Sequence, residues 1–430
     1  MKKIVGLLAL CIFSQSGQLL ATNGMSPIGI GAQAKAMAGA GIALSESSLI
    51  GGYNPAGIAR VGRRFDSSLS LFNPTRSYHS ESQNIKPFAE EKKSKNPLFL
   101  IPSIGHVQPI GTHSAWGITM YAKGGGGVAY DNTATFSGIG QALVNNGHGE
   151  GVWTTSEVQQ VGLALNYAIN LNDQHSIGFG PVLGFQRFNI TGIGYFKEIS
   201  TDPDNLTDNG WDNSGGIGGA IGWQGRLTSN ITLGAAYHSK LIMTKFSKYR
   251  GLFAGGKMDI PAQYIVGATV RPTERWQLSV DYQVIEYSKV PALANPHEES
   301  MAQAVNSSTF KRILGADDGP GFGWDDVKIL KIGSSYRITP TTTVRTGYSV
   351  GNSPIKGEDV LFNILAPAVT EEHLSIGLSY RWSDDYQFNL AYIRTLENRV
   401  TGTNTNNFVD QDLTLAMDQH DLELGFSMLF

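Results

Sequence analysis

Apolar and polar residues alternate along much of the 430-residue chain. Over residues 421 to 430, Asp421, Glu423 and Ser427 share one parity, and the other parity is apolar throughout: Leu422, Leu424, Phe426, Met428 and Phe430. This two-residue period predicts a strand whose faces meet different surroundings. Residues 375 to 393 form two similar runs around a turn at 383 to 385, with aromatic residues near the turn, as is typical of a lipid-facing band that ends in an interfacial girdle.

Short turns and long connections follow each other in a regular order. Short turns are predicted near residues 109–112, 170–173, 227–230, 271–274, 338–341 and 383–385. Long polar or glycine-rich connections are predicted near 79–96, 123–155, 191–215, 247–257, 291–324, 351–371 and 400–410. With a first strand near 65–78 and a last strand that ends at Phe430, the pattern predicts a 14-stranded antiparallel transmembrane β-barrel with both ends on the periplasmic side.

The composition agrees with a barrel. Charged residues are only 16% of the chain, aromatic residues are 10%, and there are 52 glycines, which favours strands and small residues over soluble helices. After residue 21, no apolar run approaches the roughly 18 residues that a membrane-spanning helix needs. Because only helices and closed barrels satisfy their backbone polar groups in hydrocarbon, a membrane-spanning form of this chain must be a barrel.

The first 21 residues have the layout of a secretory signal peptide. Lys2 and Lys3 precede an apolar run over 4–13, and the segment ends at Ala21. A lipoprotein signal around Cys11, the single cysteine, is disfavoured because the preceding Leu10 is bulky. The net charge of -3 and the lack of a basic run argue against nucleic-acid binding.

Residues 24 to 60 do not alternate like strands. The stretch from Ala32 to Leu44 is rich in alanine and favours short helices, and 53–57 forces a turn. We therefore expect a small helical hatch at 22–63 that plugs a barrel formed by 64–430. A phosphate-binding loop at Gly29–Gly31 is excluded because no strand precedes it and no Gly-Lys-Ser/Thr follows.

Several stretches resemble one known family. The run from Gly39-Ala40-Gly41-Ile42-Ala43 to Tyr53-Asn54-Pro55-Ala56-Gly57 is similar to the N-terminal hatch of the long-chain fatty-acid outer-membrane transporter family (FadL/TodX type, OMPP1), whose Asn-Pro-Ala turn is a short signature. Residues 260–282, 324–327, 345–348 and 353–355 resemble later strands in the same order. The chain departs from the family at Ser45-Glu46-Ser47, where a more acidic pair is expected.

The resemblance implies a plugged barrel for passive uptake of long-chain fatty acids or similar hydrophobic compounds. Cargo would be caught at the outer loops, pass to an apolar pocket inside the barrel, and leave sideways into the membrane at a kinked strand. Import of small aromatic or aliphatic hydrocarbons is a close alternative, since only the pocket and a carboxylate partner would differ.

Candidate site residues follow from this route. Four glycines that weaken strand pairing, Gly124 to Gly127, are the candidate lateral opening, with a flexible loop start as the alternative. Lys311 and Arg312 are candidate partners of a ligand carboxylate, although basic residues on outer loops also suit lipopolysaccharide phosphates. Apolar residues of two predicted outer loops, at 128–144 and 291–324, are the candidate entrance, with packing of the loops on each other as the alternative: Phe136, Ile139, Leu143, Phe310 and Leu314.

The sequence gives little sign of an enzyme, a cofactor or a metal site. Residues 347–351 match G-x-S-x-G, but a strand end is expected there instead of the strand-to-helix elbow. The acidic and histidine clusters at 297–299 and 371–373 lack metal-ligand spacing and are interpreted as solvated charges. An outer-membrane lipid hydrolase and a general polar porin without a hatch are the alternatives from other classes.

The expected partners are those of an outer-membrane barrel. Phe430, at the end of an alternating row, resembles the signal that the barrel assembly machinery recognises. Outer-membrane lipid and lipopolysaccharide would surround the barrel, and we expect a monomer.

Overall fold

The chain folds around one antiparallel sheet in a computed structural model that describes residues 23–82, 88–95, 98–131, 153–296, 313–403 and 411–430. The predicted signal peptide lies outside this part. The strands are β1 Arg64–Ser82, β2 Phe88–Lys93, β3 Phe99–Ile110, β4 Ser114–Asp131, β5 Trp153–Asn170, β6 His175–Thr191, β7 Asp212–Arg226, β8 Ile231–His238, β9 Ile242–Met243, β10 Gln263–Thr273, β11 Trp276–Ile285, β12 Val327–Arg337, β13 Thr342–Gly351, β14 Glu372–Arg381, β15 Tyr386–Thr403 and β16 Gln411–Leu429.

The sheet closes on itself because β1 pairs with β16 along its whole length, from Arg64 opposite Leu429 to Ser82 opposite Gln411. The short β2 adds to β1 beyond the wall, and β9 pairs only with β7. The remaining strands form a closed wall of fourteen antiparallel strands. The predicted barrel and its strand count are confirmed, and the first and last wall strands are paired with each other.

The six predicted short turns all join neighbouring wall strands at one end of the barrel. The long connections lie at the other end and carry short helices: Gly194–Ile199, Pro203–Asn205, Ser247–Tyr249, Ala254–Gly256, Tyr287–Lys289, Pro291–Ala294, Gly357–Asp359 and Val360–Asn363. One predicted boundary is wrong, because the connection expected from residue 123 begins only after β4 ends at Asp131. Glycines without side chains give no parity signal, so the sequence could not show that the strand continues.

The outer face of the wall is apolar. Ile376, Leu378, Phe388 and Leu390, predicted to face lipid, are all exposed, and Leu424 is 51% exposed. Aromatic side chains lie on the same face near the short turns: Trp116, Tyr167, Trp276, Tyr336, Tyr380, Trp382 and Tyr386. Such a band with an aromatic girdle suits a wall surrounded by lipid. Among the described residues, no helix is long and apolar enough to cross a membrane.

Residues 23–63, called the hatch below, lie inside the wall. The hatch contains a single α-helical turn at Ala32–Lys35 and two 3-10 helices, Ser48–Gly52 and Pro55–Arg60. It packs against inward-facing residues of most strands, as the buried clusters and the hatch-to-wall hydrogen bonds show. Inward-facing polar side chains are therefore buried against the hatch instead of facing lipid.

Candidate functional site

Asn54 connects the hatch to the wall. Its side-chain oxygen accepts a hydrogen bond from the amide of Ala56, which caps the helix that begins at Pro55. Its side-chain nitrogen donates to the carbonyls of Ile42 and Trp223, at 2.9 and 3.2 Å. Because Asn54 is fully buried, water cannot bond to its side chain, and these hydrogen bonds satisfy it instead. The Asn-Pro-Ala turn thus holds two parts of the hatch against β7.

Small residues of the wall let the hatch approach closely. Nine strands each contribute one inward-facing glycine whose added Cβ would lie 2.0 to 3.2 Å from a hatch atom. They form a belt around the short-turn half of the barrel: Gly105, Gly117, Gly178, Gly222, Gly234, Gly333, Gly347, Gly377 and Gly425. A side chain at these positions would displace the hatch, so the glycines give the wall the space that the hatch occupies.

A buried ion cluster joins the hatch to the strand seam. The ammonium group of Lys35 lies 2.7 Å from Asp421 and 2.6 Å from Glu423, both on β16. Burial alone would lower the pKa of Lys35, but the two carboxylates outweigh it and hold the pKa above its ordinary value. Lys35 therefore stays charged, and removing it would leave two buried carboxylates without their cation.

A second cluster lies at the neighbouring wall strands β11 and β12. Lys331 of β12 donates to the carbonyl of Ile28 and to the hydroxyl of Tyr53, at 2.9 and 2.8 Å. The carboxylate of Asp281 of β11 accepts hydrogen bonds from the backbone amides of Gly41 and Ile42, at 2.7 and 2.8 Å. Both wall residues are buried, and the hatch supplies hydrogen-bond partners to the Lys331 ammonium group and to one carboxylate oxygen of Asp281.

The position where the sequence departs from the family carries another hatch contact. Glu46 forms an ion pair of 2.8 Å with Arg345 of β13, whose side chain is buried. One acidic residue therefore suffices to pair with this wall cation, and the serine that follows, Ser47, caps the next helix by accepting from the amide of Leu49.

The start of the hatch is held at the long-loop side. The hydroxyl of Tyr287 donates to the carbonyl of Asn23 at 2.7 Å and accepts from the amide of Met25 at 2.8 Å. Burial raises the pKa of Tyr287 to about 12, so the hydroxyl keeps its proton. The carbonyl of Met25 in turn accepts from the amide of Gly125 on β4 at 3.1 Å.

One strand pair of the wall is interrupted. The pairing of β3 with β4 ends at Ile104 opposite Met120, whereas β3 stays paired with β1 up to Phe99 and β4 with β5 up to Asp131. Further along, the amide of Lys95 donates to the carbonyl of Ala129. Between these two points, residues 99–103 and 121–128 face each other without ladder bonds among the described residues. We call this gap the side window.

The predicted lateral-opening glycines lie at the side window. Gly124 to Gly127 are part of β4 and pair with β5, and their other edge faces the gap. A β-bulge between Ala122 and Gly124 changes the register of β4 just before them. A bulge bends a strand and increases its twist, which accounts for β4 separating from β3.

Apolar side chains and one arginine fill the side window from within. The apolar ones are Phe72, Phe99, Ile101 and Ala122, with Val161 against them. Arg76 is buried, stacks over the ring of Phe99 at 5.3 Å and donates to the carbonyl of Gly127. The arginine thus crosses from β1 to β4 above the apolar group.

Two apolar cavities lie on the long-loop side of the hatch. The lumen pocket, of about 560 Å³, adjoins the side window and is lined by Gly24, Met25, Arg76, Gly125, Gly126, Gly127, Ser156, Val158, Phe188, Met258, Leu293, Phe322, Trp324, Leu365, Ala366, Pro367, Ala368 and Met417. The loop pocket, of about 510 Å³, is lined by Phe188, Ile190, Ile193, Phe196, Leu252, Phe253, Ala292, Leu314, Pro320, Gly321, Phe322, Phe362 and Leu365. Because Phe188, Phe322 and Leu365 line both, the pockets are neighbours.

Of the predicted entrance residues, Leu314 is buried in the wall of the loop pocket. Phe136, Ile139, Leu143 and Phe310 lie outside the described residues, as do the candidate carboxylate partners Lys311 and Arg312. Phe430 extends the row of β16, its amide donates to the carbonyl of Arg63 at 3.2 Å, and its ring lies under the Arg63 guanidinium at 4.8 Å.

The candidate catalytic serine and one histidine of the candidate metal clusters lie in wall strands. Ser349 is a buried residue within β13, so the G-x-S-x-G match has no strand-to-helix elbow. His373 is fully buried and bonded to Thr395 at 2.9 Å, and its predicted place among solvated charges is wrong. No group of three metal-ligating side chains occurs within the described part of the chain.

Sequence reasoning missed Arg76 and Lys123. Arg76 has the inward parity of β1, so its position among apolar inward neighbours could have been noticed. Lys123 immediately precedes the four glycines, where the sequence predicts the start of a long connection. It has the same parity as the inward-facing Thr119 and Tyr121, so the alternation of β4 up to Tyr121 could have indicated its inward direction.

A family model described as outer membrane protein transport protein (OMPP1/FadL/TodX) matches residues 13–428. The chain belongs to this family. OMPP1/FadL/TodX proteins are outer-membrane β-barrels that transport hydrophobic compounds, and the chain shares that class and location. No curated protein sequence matches the chain significantly.

Solved structures with the same fold share little sequence with the chain. The Pseudomonas putida toluene transporter TodX is 17% identical with a TM-score of 0.64, and the match covers 94% of this chain and 99% of TodX. A Pseudomonas aeruginosa FadL homologue is 14% identical with a TM-score of 0.67, covering 96% and 99%. The Ralstonia pickettii toluene transporter TbuX is 18% identical with a TM-score of 0.62, covering 94% and 99%.

Proposed function

We propose that this OMPP1/FadL/TodX member takes up long-chain fatty acids or similar hydrophobic compounds passively and releases them sideways into the membrane. The observation that carries the proposal is the apolar path from the loop pocket through the lumen pocket to the side window. The hatch lies below both pockets and is bonded to the wall on several sides. Beyond the lumen pocket, the apolar route of a cargo therefore leads toward the side window and not through the hatch.

Capture would take place at the loop pocket. Its lining carries no charged side chain, and the aromatic rings around it make edge contacts, with Phe188 and Tyr249 4.9 Å apart and Phe196 and Phe362 5.9 Å apart. Burying an alkyl chain here stabilises it by about 0.8 kcal/mol per CH2 group. Such a surface extracts apolar cargo from the polar outer leaflet without an energy source.

Release would use the side window and its glycines, Gly124 to Gly127. The apolar group of Phe72, Phe99, Ile101 and Ala122 blocks the gap with side chains and not with ladder bonds, so rotamer changes can open it. Exit into water would forfeit the free energy gained on burial, whereas exit into lipid preserves it. We therefore place the lateral opening between β3 and β4.

Import of small aromatic hydrocarbons is the second candidate. The uncharged loop pocket suits toluene as well as an alkyl chain, and two of the solved structures with this fold are named toluene transporters. We expect no enzymatic activity of the barrel. We further propose that lipopolysaccharide and outer-membrane lipid surround a monomer, and that the Phe430 row serves the assembly machinery.

The test is uptake by cells that lack their own transporter, with and without this protein, of radiolabelled oleate and of labelled toluene at matched concentration. Oleate uptake would support the fatty-acid channel, and toluene uptake alone would favour the hydrocarbon channel. Uptake of neither by correctly assembled protein would reject the proposal. Turnover of a chromogenic ester by the purified protein would instead indicate a lipid hydrolase.

A further inference from the structure

Lys123 is the extra residue of the β-bulge in β4. Ala122 pairs with Val161 and Gly124 pairs with Gln160, so Lys123 has no opposite residue on β5. Tyr121, two residues before it, points inward against the hatch, and Lys123 continues this alternation inward, with its side chain passing Gly162. The bulge shifts the parity of the residues that follow, so Gly124 also faces inward, opposite Gln160.

The ammonium group of Lys123 is buried without a partner. The residue is 5% exposed, and no carboxylate or hydrogen-bond acceptor in the described part of the chain pairs with it. The Nζ atom itself is not completely covered by protein atoms, so it borders open space. The other inward-facing lysine of the wall, Lys331, makes two hydrogen bonds.

The groups that face Lys123 from the surrounding elements do not neutralise it. The ring of Tyr121 lies 5.9 Å away, and His238 of β8 lies within electrostatic range. Gln160 of β5 lies beside Gly124 and donates to Gln186 at 3.0 Å. The carboxylates of Asp421 and Glu423 on β16 are already held by Lys35.

Lys123 lies between two cavities on the proposed route. On one side, Gly125 to Gly127 line the lumen pocket. On the other side, Ala122, with Phe72 and Ile101, lines a smaller cavity between the hatch and the side window. Lys123 is therefore flanked in the chain by residues that line both cavities.

An isolated buried ammonium group is costly, and proteins retain such groups mainly where a ligand or a reaction uses them. An amphiphilic cargo can offer such an ammonium group a carboxylate oxygen, which accepts a charge-assisted hydrogen bond. We propose that Lys123 is a specificity-determining residue that binds the carboxylate of an amphiphilic cargo at the inner mouth of the side window. This inference rests on the proposed function, and it favours a cargo that carries a carboxylate over a hydrocarbon.

The experiment compares binding of oleate and oleyl alcohol, which share the alkyl chain and differ in the charged group. Purified full-length protein in detergent would be titrated by calorimetry as wild type, Lys123→Met, Lys123→Arg and Lys245→Met. Lys245 lies on an exposed loop and is the matched control. We expect Lys123→Met to bind oleate about ten- to a hundredfold more weakly, the range of a charge-assisted hydrogen bond, with oleyl alcohol unchanged.

Lys123→Arg should restore most of the oleate affinity, and Lys245→Met should bind as the wild type does. Equal oleate binding by Lys123→Met and wild type would overturn the inference, as would an equal loss of oleate and oleyl alcohol. A wild type that imports toluene but binds no oleate would overturn it while leaving the hydrophobic channel intact. Failure to take up either cargo would instead reject the proposed function.

Discussion

Two lysines point from the barrel wall into the lumen, and their surroundings differ. Lys331 donates to Tyr53 and to the hatch backbone, whereas Lys123 has no partner among the described residues. We expect Lys331→Met to destabilise the protein by about 2–3 kcal/mol, because the buried Asp281 would lose its nearby cation. Lys123→Met should stabilise it by about 1–2 kcal/mol, because a buried unpaired charge is removed.

Reversible urea unfolding of the purified barrel would measure both changes. Since both substitutions replace lysine by methionine at a buried wall position, side-chain size is matched and only the electrostatic surroundings differ. A Lys123→Met protein that loses as much stability as Lys331→Met would show that Lys123 is a structural residue.

The Asn-Pro-Ala turn gives a second prediction at this scale. Asn54→Ala combined with Pro55→Ala removes the bonds to Ala56, Ile42 and Trp223 and the preset backbone of the helix start. We expect faster hydrogen exchange over residues 40–60, unchanged exchange in the wall strands, and reduced uptake, because the loosened hatch no longer shapes the floor of the lumen pocket.

Asn209→Ala is the control, since Asn209 bonds only exposed loop carbonyls, those of Asp204 and Lys248. Wild-type uptake by the correctly folded double variant would remove the turn from the mechanism. Exchange that rises equally in the wall strands would show general destabilisation instead.

Individual strands differ in how well their own sequence predicts them. The hairpin of β14 and β15 has apolar and polar residues on separate faces, so parity together with the turn at 383–385 gives its register, and the pairing of Leu378 with Leu390 follows. In β4, Gly124 to Gly127 have no side chains and the bulge shifts the parity. Strand existence could be predicted from local pattern, whereas the side window depends on pairing with a neighbour.

The bulge itself can be tested by deleting Lys123. Without the extra residue, Ala122 and Gly124 would continue the alternation opposite Val161 and Gln160, and β4 could pair with β3 beyond Ile104. We expect uptake of both oleate and toluene to fall severely, because the window is closed, while the barrel stays folded.

Lys123→Met separates the two roles of this position. It keeps the bulge and should reduce oleate uptake only. Unchanged toluene uptake by the deletion variant would show that hydrocarbons leave by another route. Heat-modifiable migration on gels would verify that each variant forms a barrel.

The fit between hatch and wall is a property of the whole molecule. The alanine-rich stretch and the 53–57 turn suffice to predict a plug, but the glycine belt is assembled from nine strands. Lys35 and Asp421 are likewise 386 residues apart in sequence. No local pattern links such positions, so the docking of the hatch could not be predicted even though its presence could.

Ion conductance tests this fit. A 14-stranded barrel has a lumen wide enough for water once it is emptied, and the bonded hatch should keep wild-type conductance in planar bilayers small. Gly178→Val should raise it, because the added Cβ would lie only 2.3 Å from the carbonyl carbon of Pro55 and must displace the hatch. Gly215→Val is the matched control, since the nearest atom to its added Cβ is 4.0 Å away. Large steady conductance in the wild type would identify a general polar porin, whereas equal, small conductance in all three proteins would show that the hatch is held by its ion clusters and not by the belt.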